Sequence, residues 1–479
     1  MARLAKTLLA LSILSAAALT GCSSGDESTT TDAICPEGNS IGGVCAGVPA
    51  EALCDGDTCP VDSCSATTMV ANDGELAAAL AASQPGSCVT LVSGNYEDVV
   101  VPSGVRLLGK GADFVTVSRV ELAAGSGSMV RGLTVGAGGL HVMGTTDVEI
   151  DAVRVSGTTS DGIEAAAGSR VTVSRSEITG AGRYSIGAMD AAGLTVQATV
   201  IELANGPGIW VQCANGCDCA SEVDVTIADT VIRNTKVVGL SLVGVHATVS
   251  NVVIRDNSVN GSFQPGGGAS ISGCSVVEAS GLSIVDNTNF GLLVDDSSAT
   301  FQPASSGVSL EVTGNLRGVW LQHIGVSSTQ QVLLDGATVS DNEGVGLGIS
   351  DGALGVTLRA CSIANTSMIA LPVKVNGVST GAQEVGDGLN WLDASQVVID
   401  GLTVSNSARA SLLIDGEVGE GSTVSTVSLS GGDEAKGIVQ QNLPEGGRQP
   451  TVSDDAPSVD ATLEEMYSVA EGLSIPPGI

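Results

Sequence analysis

Aromatic side chains are almost missing from this sequence of 479 residues, which has three Trp, three Tyr and four Phe. Their scarcity excludes a large globule built around an aromatic core, while a hydrophobic fraction of 43% excludes disorder. Charge is also short: Asp, Glu, Lys and Arg make up 15% of the chain, well under the usual share, so long solvated helices are not expected. Basic residues are scarcer still. Nineteen Lys and Arg stand against 52 Asp and Glu, a net charge of −33, which makes nucleic acid and anionic lipid surfaces poor partners. Beyond the N-terminus, no segment has the ~18 consecutive apolar residues of a membrane-spanning helix. Glycine is what abounds, with 64 residues. Together with Ala, Val, Ile, Leu, Ser, Asn and Asp it suits many short strands joined by turns.

Arg3 and Lys6 precede a short apolar run from Leu8 to Leu19, the pattern of a signal peptide rather than a mature helix. The run ends in Leu19-Thr20-Gly21-Cys22, followed by Ser23 and Ser24. These residues resemble the lipobox of bacterial lipoproteins, which implies that Cys22 is acylated and that the lipid is the membrane anchor. Ser23 in place of Asp resembles lipoproteins sorted to the outer membrane of Gram-negative bacteria. Residues 1–22 are thus read as signal peptide and 23–34 as a flexible tether.

Six cysteines, Cys35, Cys45, Cys54, Cys59, Cys64 and Cys88, lie in the N-terminal part, and five, Cys213, Cys217, Cys219, Cys274 and Cys361, lie further on. In an exported protein they are expected to form disulfides, which must hold the cysteine-dense segment 35–65. Zinc held by Cys213, Cys217, Cys219 and Cys274 is the alternative, but no histidine lies near and no metal is expected. Cys361 falls on an inward strand position and is expected to be a free core thiol.

Further along the chain repeats itself. Val148-Glu149-Ile150, Val171-Thr172-Val173 and Leu194-Thr195-Val196 begin units 23 residues apart. Gly plus an aliphatic recurs before many units, as in Gly139-Leu140, Gly162-Ile163, Gly208-Ile209, Gly318-Val319 and Gly388-Leu389. Asn234, Asn257, Asn287, Asn342, Asn365 and Asn406 follow another strand at a turn. Strands recurring without helices cannot make a βαβ sheet, and hairpins would not keep so constant a register. A coil meets both demands by stacking each turn ~4.8 Å above the last. The preferred hand of parallel crossovers makes it right-handed.

These residues resemble right-handed parallel β-helix proteins of the pectin-lyase-like class, a resemblance that covers roughly 66–440. The segment from Asp73, a short capping helix followed by Pro85-Gly86 and Gly94-Asn95-Tyr96, is similar to their usual first coil. The fold class expected is all-β, a single-stranded coil of about 12 turns with short capping helices at both ends. Residues 441–479 serve as C-terminal linker and cap, with a last helix starting at Asp460. Family members include pectate lyases, polygalacturonases, epimerases, tailspikes and adhesins, so the resemblance implies fold more than function.

Period-two alternation assigns an outer row to His141, Glu164, Gly187, Trp210, Leu293, Trp320 and Asn390, with Gln212 and Gln322 two places on. Tyr184, Phe290 and Arg317 come just before the same strands. Tyr184, Trp210, Phe290 and Trp320 are therefore expected to line one outer face, the two Trp about four turns or ~19 Å apart. With Gln212, Arg317 and Gln322 they would form a platform for sugar rings. The alternative is that Trp210 packs under the Cys213–Cys219 loop and Trp320 under the loop after His323.

For catalysis the candidates are Asp161, Glu164 and His141. Thr159-Ser160-Asp161-Gly162-Ile163-Glu164 resembles the N-T-D-G-x-D of polygalacturonases, with Thr159 and Ser160 replacing Asn and Thr. Where those enzymes carry an acidic pair one coil later, this chain has Arg183-Tyr184, so their mechanism does not carry over. Paired carboxyls ~6.5–9.5 Å apart for inversion or ~5 Å for retention remain reachable for Asp161 and Glu164 around a turn. His141 and Glu164 share a row one coil apart, as an ion pair or an acid/base couple. Asp147 and Arg170, at the same offset, read as a salt bridge between turns. Asp295, Asp296, Arg317 and Asp341 are the nearest approach to a lyase-like calcium site, on different turns. No cofactor is expected, with calcium as the alternative. The expected function is glycan or envelope-partner binding without catalysis, with a polysaccharide lyase, hydrolase or epimerase as the alternative.

Overall fold

The repeated V-x-V and L-x-V units stack in register: Val148 pairs in parallel with Val171, and Val171 with Leu194. The computed structural model describes residues 64–452, apart from 145–146, 214–222, 262–264, 326–328, 376–377, 431–435 and 450, and the short strands Ser40–Ile41, Val44–Cys45 and Val459–Asp460. Each coil supplies three short strands. In one coil these are Arg170–Ser174, Glu177–Thr179 and Ile186–Met189. They pair in parallel with Gly193–Gln197, Val200–Glu202 and Ile209–Gln212 of the next. The three stacks are called the first, second and third faces. In later coils the strands of the first two faces fuse into bent ones, such as Asp224–Arg233, His246–Arg255 and Val276–Val285.

Alternate residues point inward and make one continuous aliphatic core from Val70 to Ile438. A narrow coil encloses a thin core that small aliphatics fill, which accounts for the shortage of aromatic rings. Cys361 sits in this core as a free, buried thiol, as the alternation predicts.

Among the described residues, many of the corners between faces carry a residue in the left-handed conformation. At the corner between the first and second faces these are Ala152, Arg175, Ala198, Asp229, Asn251 and Gly281. Between the second and third they include Gly180, Asn234, Asp256, Asp286, Gly314 and Asp341. Gly, Asn and Asp tolerate this backbone best, which explains their abundance. The asparagines of the sequence pattern divide here into two rows. Asn234, Asn365 and Asn406 are themselves the left-handed residues. Asn257, Asn287 and Asn342, with Asn315, come one place later and form a buried ladder. Each accepts from the backbone N–H of the residue one coil earlier, at 2.9–3.1 Å, and three also accept an amide N–H from the preceding ladder Asn.

The N-terminal helix Asp73–Ala82 is capped by Asn72, whose side chain accepts from the Glu75 N–H. It buries Leu76 and Leu80 against the first coil. At the other end parallel pairing runs past residue 440, joining Thr423 to Thr451 and Ile438 to Val459. Asp460 ends that last strand, and the helix expected after it lies outside the described residues. So do Cys22, Cys35, Cys54, Cys59, Cys217 and Cys219. Cys45 ends a short strand, Cys64 is bonded to Cys88, and Cys213 and Cys274 are each disulfide-bonded, which leaves neither free for zinc.

Candidate functional site

The sequence-predicted residues gather on the third face. His141 lies in register with Glu164, Glu164 with Gly187, and Gly187 with Trp210. The His141 Nδ1 lies 2.8 Å from Glu164 Oε2, and its Nε2 lies 2.8 Å from the Gly138 carbonyl oxygen. Both ring nitrogens are thus engaged. Asp161 is buried, and its two oxygens accept from Arg183 Nε and Nη2 at 2.8 and 2.7 Å. Hydrogen bonds to Asp161 push the Arg183 guanidinium up, against burial. Asp161 is therefore not a free acid beside Glu164. The guanidinium also lies over the Tyr184 ring, 4.5 Å from its centroid. The same pairing recurs at Asp387 and Arg409, whose Nε donates to Asp387 Oδ1 at 2.8 Å. Burial pushes the Asp387 carboxyl up, with Arg409 and Asn390 opposing it.

The aromatic row keeps its predicted direction but not its predicted exposure. Tyr184, Trp210, Phe290 and Trp320 are each at most 4% exposed. They lie flat over the face instead of standing out from it. Tyr184 stacks on Trp210 with centroids 5.7 Å apart. A Cβ at Gly267 would fall 2.2 Å from the Phe290 ring, and one at Gly348 would fall 2.4 Å from that of Trp320. Only glycine one coil away leaves room for each ring. Phe290 and Trp320 join Val237, Val238, Leu293, Val345 and Val385 in a second apolar layer outside the coil. Gln212 accepts from Trp210 Nε1, Gln322 is 2% exposed, and Arg317 donates to Asn289. The open sugar platform of the sequence reading is overturned by this packing. The lyase-like set is dispersed as well: Asp295 meets His323 at 2.7 Å, and Asp341 accepts from Asn365.

On the first face sequence reasoning singled out Asp147 and Arg170, as a salt bridge between turns, but no site. A groove of about 480 Å³ crosses it, lined among others by Arg106, Asp147, Glu149, Arg170, Thr172, Thr195, Asp224 and Thr226. A second cavity of about 380 Å³ shares Asp224 and Thr226 and continues to His246, Thr248 and Glu278. Two rows form the floor. Asp147, Arg170, Gly193, Asp224 and His246 follow in register, beside Glu149, Thr172, Thr195, Thr226 and Thr248. Arg170 does not close the expected bridge to Asp147, because its guanidinium lies over Gly193, whose Cβ position is 3.1 Å from Nη1. Among the described residues, Asp147, Arg170 and Asp224 make no side-chain hydrogen bond or ion pair within the protein. The repeated threonine inside V-T-V, L-T-V, V-T-I and A-T-V was the signal available.

Residues 103–305 match the family described as "Right handed beta helix region". Among solved structures the chain is similar to the Azotobacter vinelandii mannuronan C-5 epimerase AlgE4 A-module, at 14% identity over 82% of this chain and 96% of that one, TM-score 0.35. It is similar too to the periplasmic alginate epimerase AlgG, at 11% identity over 77% and 83%, TM-score 0.33. The catalytic unit of the GH87 α-1,3-glucanase from Streptomyces thermodiastaticus strain HF3-3 matches at 15% identity over 84% and 71%, TM-score 0.33. No curated protein matches the sequence. With the parallel register continuing on both sides of residues 103–305, this chain is a right-handed parallel β-helix.

Proposed function

We propose that this protein is a lipid-anchored β-helix of the bacterial cell envelope that binds a glycan or an envelope partner in the first-face groove without transforming it. One contrast carries the proposal. On the third face the charges are spent on one another, as in Asp161–Arg183, Asp387–Arg409 and His141–Glu164. In the groove Asp147, Arg170 and Asp224 are left, among the described residues, with no partner of their own. Unspent charge in a concavity is what a ligand site holds ready. The anchor is argued from Leu19-Thr20-Gly21-Cys22 and the outer membrane from Ser23.

Glycan-array and envelope-extract binding, with wild type and an Arg170→Ala/Asp224→Ala variant, tests the site. Undiminished binding in the variant would remove the groove from consideration. A cation between two unengaged carboxylates is also what a polysaccharide-active enzyme would use. Product formation from polyuronates or neutral glycans, with or without calcium, would replace binding with catalysis.

A further inference from the structure

Granted that the groove is a ligand site, its floor specifies the chemistry of the ligand. Glu149, Thr172, Thr195, Thr226, Thr248 and Glu278 follow one another in register, one per coil at ~4.8 Å. Their flanking neighbours, such as Val171, Val173, Leu194 and Val196, are buried in the core, so this row stands outward. Among the described residues, none of the four threonine hydroxyls hydrogen-bonds within the protein. A hydroxyl both donates and accepts, so the row offers four adjacent, uncharged and unused partners at a constant step.

Charge around the row argues against an anionic polymer. Glu149 and Glu278 close it at its two ends, Asp147 and Asp224 flank it, and the chain as a whole carries −33. Arg106 and Arg170 supply cations at two coils, against the four carboxylates of Asp147, Glu149, Asp224 and Glu278. A polyuronate would set a carboxylate against this field at every sugar. An extended peptide advances ~3.3 Å per residue and falls out of step with coils ~4.8 Å apart. We propose that the groove takes an uncharged, hydroxyl-rich polysaccharide laid along the coil axis, its hydroxyls hydrogen-bonded to Thr172, Thr195, Thr226 and Thr248.

Isothermal titration of the protein with glucan, mannan, xylan and galactan oligosaccharides, and with alginate and polygalacturonate oligomers of equal length, tests this. At least one neutral oligosaccharide should bind, and both uronates should bind more weakly at low salt. Thr195→Val/Thr226→Val, which keeps shape and strand preference, should weaken neutral binding about tenfold, the loss of two hydrogen bonds, without lowering the melting temperature. Equal or tighter uronate binding, or unchanged neutral affinity in the threonine variant, overturns the inference. If Arg170→Ala abolishes uronate binding while the threonine variant retains it, the groove survives as a site and only the ligand class falls. If no glycan binds the wild type, the ligand class falls outright, and envelope-extract capture dependent on Arg170 and Asp224 decides whether the groove does too.

Discussion

Gly348→Ala adds one methyl group to an outer strand, a change that normally strengthens a strand by about 0.5–1 kcal/mol. Here the new Cβ would lie 2.4 Å from Trp320 Cε3 and 2.5 Å from Cζ3. The ring has little freedom to yield, being 1% exposed, packed among Phe290, Leu293, Val345 and Val385, and donating from Nε1 to Ser350 Oγ. Overpacking of this kind costs about 1–3 kcal/mol. Trp320→Ala alone removes the ring and should cost about 3–5 kcal/mol. In the double variant the clash is gone, so adding Gly348→Ala to Trp320→Ala should be neutral or stabilising. The expected coupling is about 2 kcal/mol, read from urea unfolding of the four proteins by circular dichroism. Additive effects, or a harmless Gly348→Ala in the wild type, would refute the claim that this glycine exists to seat the ring.

Two other outcomes are expected. Burial pushes the Asp151 carboxyl up, but hydrogen bonds from Arg175 and Ser174 and the charges of Arg175 and Arg131 outweigh it and hold the pKa below the usual range. That stabilisation is complete above the unfolded carboxyl's pKa near ~3.9 and is lost as pH falls through the lower folded value. Asp151→Asn should therefore flatten the acid limb of the stability profile, and an unchanged limb would count against the pairing. Cys22→Ser should move the protein from the membrane fraction to the soluble one and abolish acyl labelling; a variant still labelled and membrane-bound would disprove the anchor.

The coil was legible in the sequence because register requires only period-two aliphatics at a constant interval, and Val148, Val171 and Leu194 supply them. Which side of a strand faces out was legible for the same reason. Burial of the outward rings was not, since Trp320 is covered by groups from other coils and seated by Gly348, which no local pattern joins to it. The asparagine rows were merged because both follow a strand closely. The ladder position comes just after the left-handed residue, as in Asp256-Asn257 and Asp286-Asn287, whereas in Asn234-Thr235 the roles are shifted by one. The buried Asp161–Arg183 pair left a trace, Asp-Gly followed one coil later by Arg, repeated at Asp387 and Arg409. The groove drew no notice because exposed threonines and acids read as ordinary solvated surface until their register is known.

The corners have a consequence for how such a chain can change. Leu282 still pairs with Leu310 although residues 302–309 are added after Phe301, the partner of Ala279, and Leu358 with Ile399 although the hairpin Ile369–Val385 lies between. In both cases the added length falls at a corner and the strands on either side resume their places. Corners therefore act as permissive insertion points. The coil can acquire or shed peripheral segments, or accept engineered ones, while the arrangement of side chains on its faces is inherited intact.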